Sequence, residues 1–454
     1  MLSTSRVGAA GLALCSLGCA AFALGCERPS AAQDAGAEVA NERDAAAIDA
    51  TDAAIDDVQV EDVTVADVVV RPPPVELGRH EVTVVATRRI VPSDGLPGTI
   101  TPSASNNNLD VVRFGGRVYL AWRTSGDHFA SAGTRIHVVS SDDETTWRFE
   151  TTLSLDRDLR EPRFLLVQSS LFLYVARLGT NPLSFDPQGM SVTELRSDGT
   201  WTPLAEVFRP GFIPWRGRVE RGQRYLIGYF GGEHIYRFDG EPLEVHLLTT
   251  DDGRVFRPIN AARSAVLTGG ASETDFTINP DTGDLFAVAR NEAGDTSGFG
   301  SKICRASSAD VTSWTCRTDP RKYDSPLMFW HDGEAYLIGR RHLSPTGNYD
   351  LMRGGDLTRR AVDNQVDYTR WPKRCALWRY VQGEDRIAYV LDLPSRGDTC
   401  FASVLPLGAP GEFAVYDYSS DVNGPDIGWR QGQMGPTFVY RHHLRFSPRM
   451  QRDQ

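Results

Sequence analysis

Six short stretches of the chain share one hydropathic pattern: a turn residue, a run of mixed aliphatic and aromatic side chains, then a polar or tyrosine end. They are GRVYLAWR, SLFLYVAR, GQRYLIGY, GDLFAVAR, GEAYLIGR and GEFAVYDY, closing at Arg123, Arg177, Tyr229, Arg290, Arg340 and Tyr418. Branched and aromatic residues after a turn signal predict a strand at each place. A second series interleaves with the first, in which an Asp-rich turn closes on an aromatic. It reads SSDDETTW, RSDGTW, TTDDGRVF and SSADVTSW, with weaker relatives DNQVDYTRW and SSDVNGPDIGW. The closing aromatics are Trp147, Trp201, Phe256, Trp314, Trp371 and Trp429, at intervals of 54, 55, 58, 57 and 58 residues. A fixed period is the mark of a repeat architecture, and short strands at this period predict one four-stranded antiparallel blade per repeat. Residues 79–454 therefore read as an all-β fold, a six-bladed β-propeller. Helix-like stretches such as Ala306 to Val311 read as turns within it.

In a propeller the first strand of each blade lines the central channel. Counting back from the six strand ends places six polar segments there: NNNLD (Asn106 to Asp110), REPR (Arg160 to Arg163), PWRGR (Pro214 to Arg218), SETD (Ser272 to Asp275), KYDS (Lys322 to Ser325) and SRGD (Ser395 to Asp398). Charged and amide residues at one level of otherwise apolar strands predict a convergent ring at one channel mouth, the ordinary layout of a sugar or carboxylate site. RNEAGD (Arg290 to Asp295) is a further polar loop, of the kind where functional residues concentrate.

The ends of the chain change this picture only at its margin. Arg6 precedes an apolar run from Val7 to Gly25, and Phe22-Ala23-Leu24-Gly25-Cys26 resembles a bacterial lipoprotein box, so residues 1–25 are expected to be a signal peptide and Cys26 a lipidated anchor. Residues 26–78 are rich in Ala, Asp and Val. Between Glu27 and Glu76 there are 13 acids against Arg28, Arg43 and Arg71, a composition that predicts a disordered tether. The whole chain carries −11, so the propeller itself is nearly neutral, and no basic stripe points to nucleic acid. Export makes two disulfides the expected use of the last four cysteines, Cys304–Cys316 and Cys375–Cys400. Metal-ligand spacing is lacking, since His442-His443 are neighbours that a strand would point to opposite faces. No cofactor is expected.

SSDDETTW and TTDDGRVF resemble the Asp-box of the sialidase superfamily, Ser/Thr-x-Asp-x-Gly-x-Thr-Trp, with Glu144 standing where the box has Gly. The resemblance covers most of Arg79 to Pro448 and implies a six-bladed propeller whose boxes are structural turns, with Asp142 and Trp147 as turn closure and blade packing. It also implies a site: three arginines for a sugar carboxylate, an Asp acid/base, and a Tyr nucleophile assisted by a Glu. Glu273 and Arg290 match the assisting Glu and the second Arg, and Asp127, beside His128, matches the acid/base. The first Arg has no counterpart in NNNLD. Phe401 falls where the Tyr belongs, leaving Tyr418 as the candidate phenol. Arg340, Arg341 or Arg396 would be the third Arg. Arg163, Asp324, Asp110 and Glu161 complete the expected substrate-binding set.

Two readings of function stand side by side. One is an envelope-anchored, monomeric glycoside hydrolase of an exposed glycan, an acidic one included, by sialidase chemistry or by paired carboxylates drawn from Asp110, Glu161, Glu273, Asp275, Asp324 and Asp398. REPR also loosely resembles the Arg-Asp-Pro segment of five-bladed fructan- and arabinan-cleaving enzymes. The other is a propeller that binds a glycan without cleaving it, on aromatics such as Trp215, Tyr229, Phe230, Phe329 and Trp330.

Overall fold

The computed structural model describes residues 71–237 and 239–449. The expected signal peptide, the lipidation site at Cys26 and most of the tether lie outside them. The described chain forms six antiparallel sheets in sequence order, each a blade of four strands, with a short fifth strand, Leu267–Gly269, added to the third. The innermost strands are Ser105–Phe114, Asp158–Val167, Ile213–Glu220, Thr274–Ile278, Leu327–His331 and Ser403–Pro406. Each of the six hydropathic runs forms the second strand of its blade, where both faces are covered by neighbouring blades and a continuous apolar run is what burial requires.

The ring closes through the chain's ends. His80–Val91 pairs antiparallel with Phe438–Pro448 and so supplies the outer strand of the sixth blade. Both expected disulfides form. Cys304–Cys316 joins directly opposed residues of the third and fourth strands of blade 4, and Cys375–Cys400 ties blade 5 to the segment entering blade 6. No helix among the described residues is long and apolar enough to cross a membrane.

The Asp-rich turns hold in blades 1 to 4, where each connects the third strand to the fourth. Their chemistry differs from the expected one by a residue. Asp143, not Asp142, closes the first turn: its Oδ1 accepts the Thr145 and Thr146 N–H groups at 2.7 and 2.8 Å, while Ser141 Oγ accepts the Glu144 N–H. Thr250 and Asp252 repeat this in blade 3, with Gly253 in the place of Glu144. Asp142 instead pairs on the surface with Arg148 and Arg117.

The last two aromatics of the series belong elsewhere. DNQVDYTR lies in a helix, α1 (Leu357–Arg370), inserted between the second and third strands of blade 5. Asp356 caps it by accepting the Arg359 N–H, and Ala361, Asn364 and Tyr368 are its buried residues, at helical spacing. Trp429 opens a short helix, α2 (Trp429–Met434), at the matching place in blade 6. DNQVDYTR runs down the helix to Trp371 at its C-cap, whereas Trp429 opens its helix, so the same spacing of acids and aromatic recurs in two unlike structures.

Glu144 sits at φ +58°, the left-handed region where glycine is at ease. Its carboxylate accepts the Tyr416 hydroxyl at 2.8 Å and the Arg441 guanidinium, and its carbonyl accepts from Arg88. All three partners lie in blade 6. The acid in the glycine slot is therefore a staple across the ring's seam.

Candidate functional site

The polar ring exists, and local backbone irregularity builds part of it. Register shifts interrupt the innermost strands of blades 1, 2 and 3 between Asn107 and Leu109, Arg160 and Arg163, and Pro214 and Arg216. Asn108 and Glu161 stand at φ +40° and +50° within two of them. Such bulges re-aim side chains next to functional openings. The six connections from second to third strand, including α1 and α2, emerge at this same end.

Two clusters form there. The first centres on blades 4 and 5. Arg290 Nη1 lies 3.1 Å from Glu273 and 2.9 Å from Glu292, and its Nε donates to Ser272. Glu292 accepts from Lys322 Nζ at 2.6 Å and from the half-exposed Tyr236 hydroxyl at 3.4 Å. Asp324 accepts from Arg340 at 2.9 Å and from the Tyr368 hydroxyl at 2.6 Å. Its other oxygen, Oδ1, is buried without a partner. Below it, Lys373 Nζ is buried and donates to the carbonyls of Tyr368 and Trp371.

The acids of this cluster are driven apart. Burial would raise Asp324, but Lys322, Arg340 and Arg290 hold it below the usual carboxylate range. Glu273 goes the other way: burial, with Asp324 and Glu161 adding to it against the pull of Arg290, pushes it up to about 7. One Glu273 oxygen accepts the Ser325 N–H at 2.8 Å. Neighbouring carboxyls with opposed shifts are the usual sign of divided acid and base roles.

The second cluster lies at blades 6 and 1. Asp398 is fully buried and ionised, its pKa lowered because His128 and Arg340 outweigh burial. Its Oδ2 lies 2.6 Å from His128 Nδ1, and its Oδ1 accepts the Tyr418 hydroxyl at 3.0 Å and the Trp429 Nε1–H at 3.1 Å. Trp429 also packs on Arg340, 5.0 Å from guanidinium to ring, and so joins the two clusters.

The remaining expected residues fall into place around these. Asp127 turns its carboxylate to the Phe129 N–H at 2.9 Å, closing its own loop. Tyr418 gives its hydroxyl to Asp398, and among the described residues no tyrosine bonds Glu273. Arg163 is fully buried, 4.2 Å above the Phe401 ring and 5.0 Å from Trp215, and burial beside Arg216 lowers it to about 9. With Arg216, these residues plug the channel below the mouth. Asp110 also acts there, accepting the Phe164 N–H and the Ser403 hydroxyl. Glu161 accepts from Asn108 at 2.9 Å. Arg396 pairs with Asp426, and Arg341 grips Asp392 through both oxygens.

Glu292, Tyr236, Tyr368 and Lys373 went unread as site residues. Glu292 had a signal, lying two residues beyond Arg290 in RNEAGD, on the same face of an extended chain. The tyrosines sit in insertions that interrupt the repeat and had none.

A cavity of about 250 Å³ opens beside Arg340 at the edge of blade 5. Arg71, Arg321, Lys322, Arg340 and Arg341 line it with Pro73, Pro74 and Tyr323, and no carboxylate does.

No family model matches the chain, and no curated protein matches it in sequence. Solved structures do match. Trypanosoma rangeli sialidase in complex with sialic acid is 13% identical at a TM-score of 0.48, over 76% of this chain and 54% of that one. Penicillium chrysogenum α-L-arabinanase complexed with arabinobiose is 12% identical at 0.46, over 79% and 98%. Zg3597, a family 117 glycoside hydrolase of Zobellia galactanivorans, is 14% identical at 0.38, over 81% and 90%. The chain spans about half the length of the sialidase.

Proposed function

We propose that the protein is a glycoside hydrolase that cleaves an exposed, acidic glycan at the propeller mouth, with Glu273 as the proton donor to the leaving oxygen. The observation that carries this reading is the placing of Glu273 at the mouth beside Arg290, where burial pushes it up to about 7 while Lys322, Arg340 and Arg290 hold Asp324 below the usual carboxylate range. A carboxyl with that value is poised to give a proton at neutral pH. The cationic cavity that shares Lys322 and Arg340 with this cluster supports an acidic substrate, since no carboxylate lines it. Tyrosine-based sialidase chemistry is the less supported variant, because Tyr418 is bonded to Asp398 and Phe401 offers no oxygen. In the same reading the protein is exported, works as a monomer, and is held to the bacterial envelope by a lipid on Cys26. Palmitate labelling that survives Cys26→Ser would refute the anchor.

The test is turnover of a panel of aryl glycosides that includes uronic acid and sialic acid substrates, by the wild type and by Glu273→Gln. Hydrolysis of an acidic member, reduced at least 100-fold in the variant, is expected. Saturable glycan binding with no turnover by the wild type would mean that the protein is a binding propeller.

A further inference from the structure

We propose that His128, held by Asp398, is the base that activates the attacking water, so that hydrolysis proceeds in one displacement with inversion at the anomeric carbon. The inference rests on the glycosidase reading and adds the second half of its chemistry.

The side chain is fixed from every direction. Its Nδ1 lies 2.6 Å from Asp398 Oδ2. The His128 N–H donates to the Gln433 carbonyl, and its own carbonyl accepts from Arg160 at 2.8 Å. The Tyr418 ring lies 6.2 Å from the imidazole. Asp398 is itself held by Tyr418 and Trp429, so it cannot swing away. An ionised carboxylate on Nδ1 fixes the proton there and leaves Nε2 as the lone-pair nitrogen. Nε2 makes no hydrogen bond among the described residues, and the ring is 16% exposed. This is the arrangement of an imidazole base with an orienting acid.

Topology supplies the second argument. His128 comes from the loop of blade 1 and Glu273 from the entry to blade 4, and in a six-membered ring these blades are opposite. Acid and base thus come from two sides of the channel axis, the sense of approach that single displacement uses. In the step, Nε2 takes a proton from water and the water oxygen bonds to the anomeric carbon. The bond from that carbon to the leaving oxygen breaks, and Glu273 gives its proton to that oxygen. Solvent then carries the proton from the imidazolium back to the Glu273 carboxylate.

The experiment uses the folded protein and the hydrolysed aryl glycoside of the panel, and reads the anomer of the product by NMR. The wild type is expected to release the inverted sugar. His128→Gln and His128→Ala should lose about 100- to 10,000-fold in kcat with KM nearly kept. Sodium azide should restore turnover in His128→Ala, giving the inverted glycosyl azide. Asp398→Asn, which removes the negative charge beside Nδ1, should move the acid limb of the kcat/KM profile to lower pH, which loss of packing alone would not do. A retained product, or His128 variants with wild-type kcat, would overturn the proposal while leaving the Glu273-dependent glycosidase intact. A wild type that hydrolyses no member of the panel would overturn both.

Discussion

At the scale of single residues, burial decides which groups carry protons, and this has a measurable sign. Burial pushes Glu273 and Asp417 up to about 7, from ordinary values of 4.5 and 3.8. The native state then holds protons that the unfolded chain has released. For these two groups a rise in pH between about pH 4 and pH 7 therefore favours unfolding, and their stabilising contribution is full below that window and lost above it. Each group accounts for on the order of 3 kcal/mol across the window. The depressed acids, Asp158, Glu144 and Asp398, act in the opposite sense and only as pH falls below the ordinary carboxylate range. The buried histidines His137, His342 and His442, depressed by burial, act in the opposite sense over the same range, so the Glu273 contribution is read as a difference between proteins in denaturant melts at pH 5 and pH 8. Glu273→Gln, which keeps an acceptor for the Ser325 N–H, should gain stability relative to the wild type between pH 5 and pH 8. An unchanged slope in that variant would mean that Glu273 is ionised like any surface acid. Asp158 makes a second case. It is fully buried and faces Arg123 at 3.0 Å, with Arg160 and Thr134 also bonded to it. Asp158→Ala leaves two buried guanidinium groups unmatched and should cost about 3–5 kcal/mol in urea unfolding, whereas exposed Asp142→Ala should cost under about 1 kcal/mol.

At the scale of elements, what could be read in the sequence and what could not divide along the repeat. The second strands were legible because both of their faces are covered, so each is a continuous apolar run between turn signals. The level of the polar ring followed from them, since an innermost strand must precede each run by a hairpin. Asp143 in place of Asp142 was not legible: adjacent acids share one composition, and only the hydrogen bonds distinguish them. Helix α1 was missed because DNQVDYTRW continued a period that tertiary structure had already ended, and its amphipathic spacing spans only Ala361 to Tyr368. Glu144 looked like a defect in its turn and proves to be a staple between blades 1 and 6. Glu144→Gly should relieve the backbone yet lose the bonds to Tyr416 and Arg441, for a net loss of about 1–3 kcal/mol by denaturant melt. A variant as stable as the wild type would show that pairing of the terminal strands closes the ring unaided. The two disulfides belong to this scale as well. Cys375–Cys400 closes 25 residues and crosses between blades, while Cys304–Cys316 closes 12 within one hairpin. Cys375→Ser with Cys400→Ser should therefore lower the melting temperature more than the corresponding pair in blade 4.

At the scale of the whole molecule, the propeller separates support from chemistry along its axis. Below the mouth, Arg163 and Arg216 stack on Phe401 and Trp215 and fill the channel, so a ligand meets a floor rather than a passage. Above the floor, acids and bases from different blades converge without sharing a strand. That arrangement shifts Glu273 and Asp324 in opposite directions, and sets His128, held by Asp398, on the blade opposite that of Glu273. Sequence reasoning reached the ring but assigned roles by resemblance, which put weight on Asp127 and Tyr418. In the proposed reading His128 takes the place of base, and Glu273, expected as the partner of a tyrosine, takes that of proton donor.

The central claim is that Glu273 gives a proton in a glycoside-cleaving site, and the pH profile of kcat/KM on the acidic aryl glycoside tests it most directly. The wild type should lose activity as pH rises through about 7, and Glu273→Gln should abolish turnover of substrates with poor leaving groups while sparing a dinitrophenyl glycoside. A variant that cleaves both kinds of substrate at the wild-type rate would contradict it.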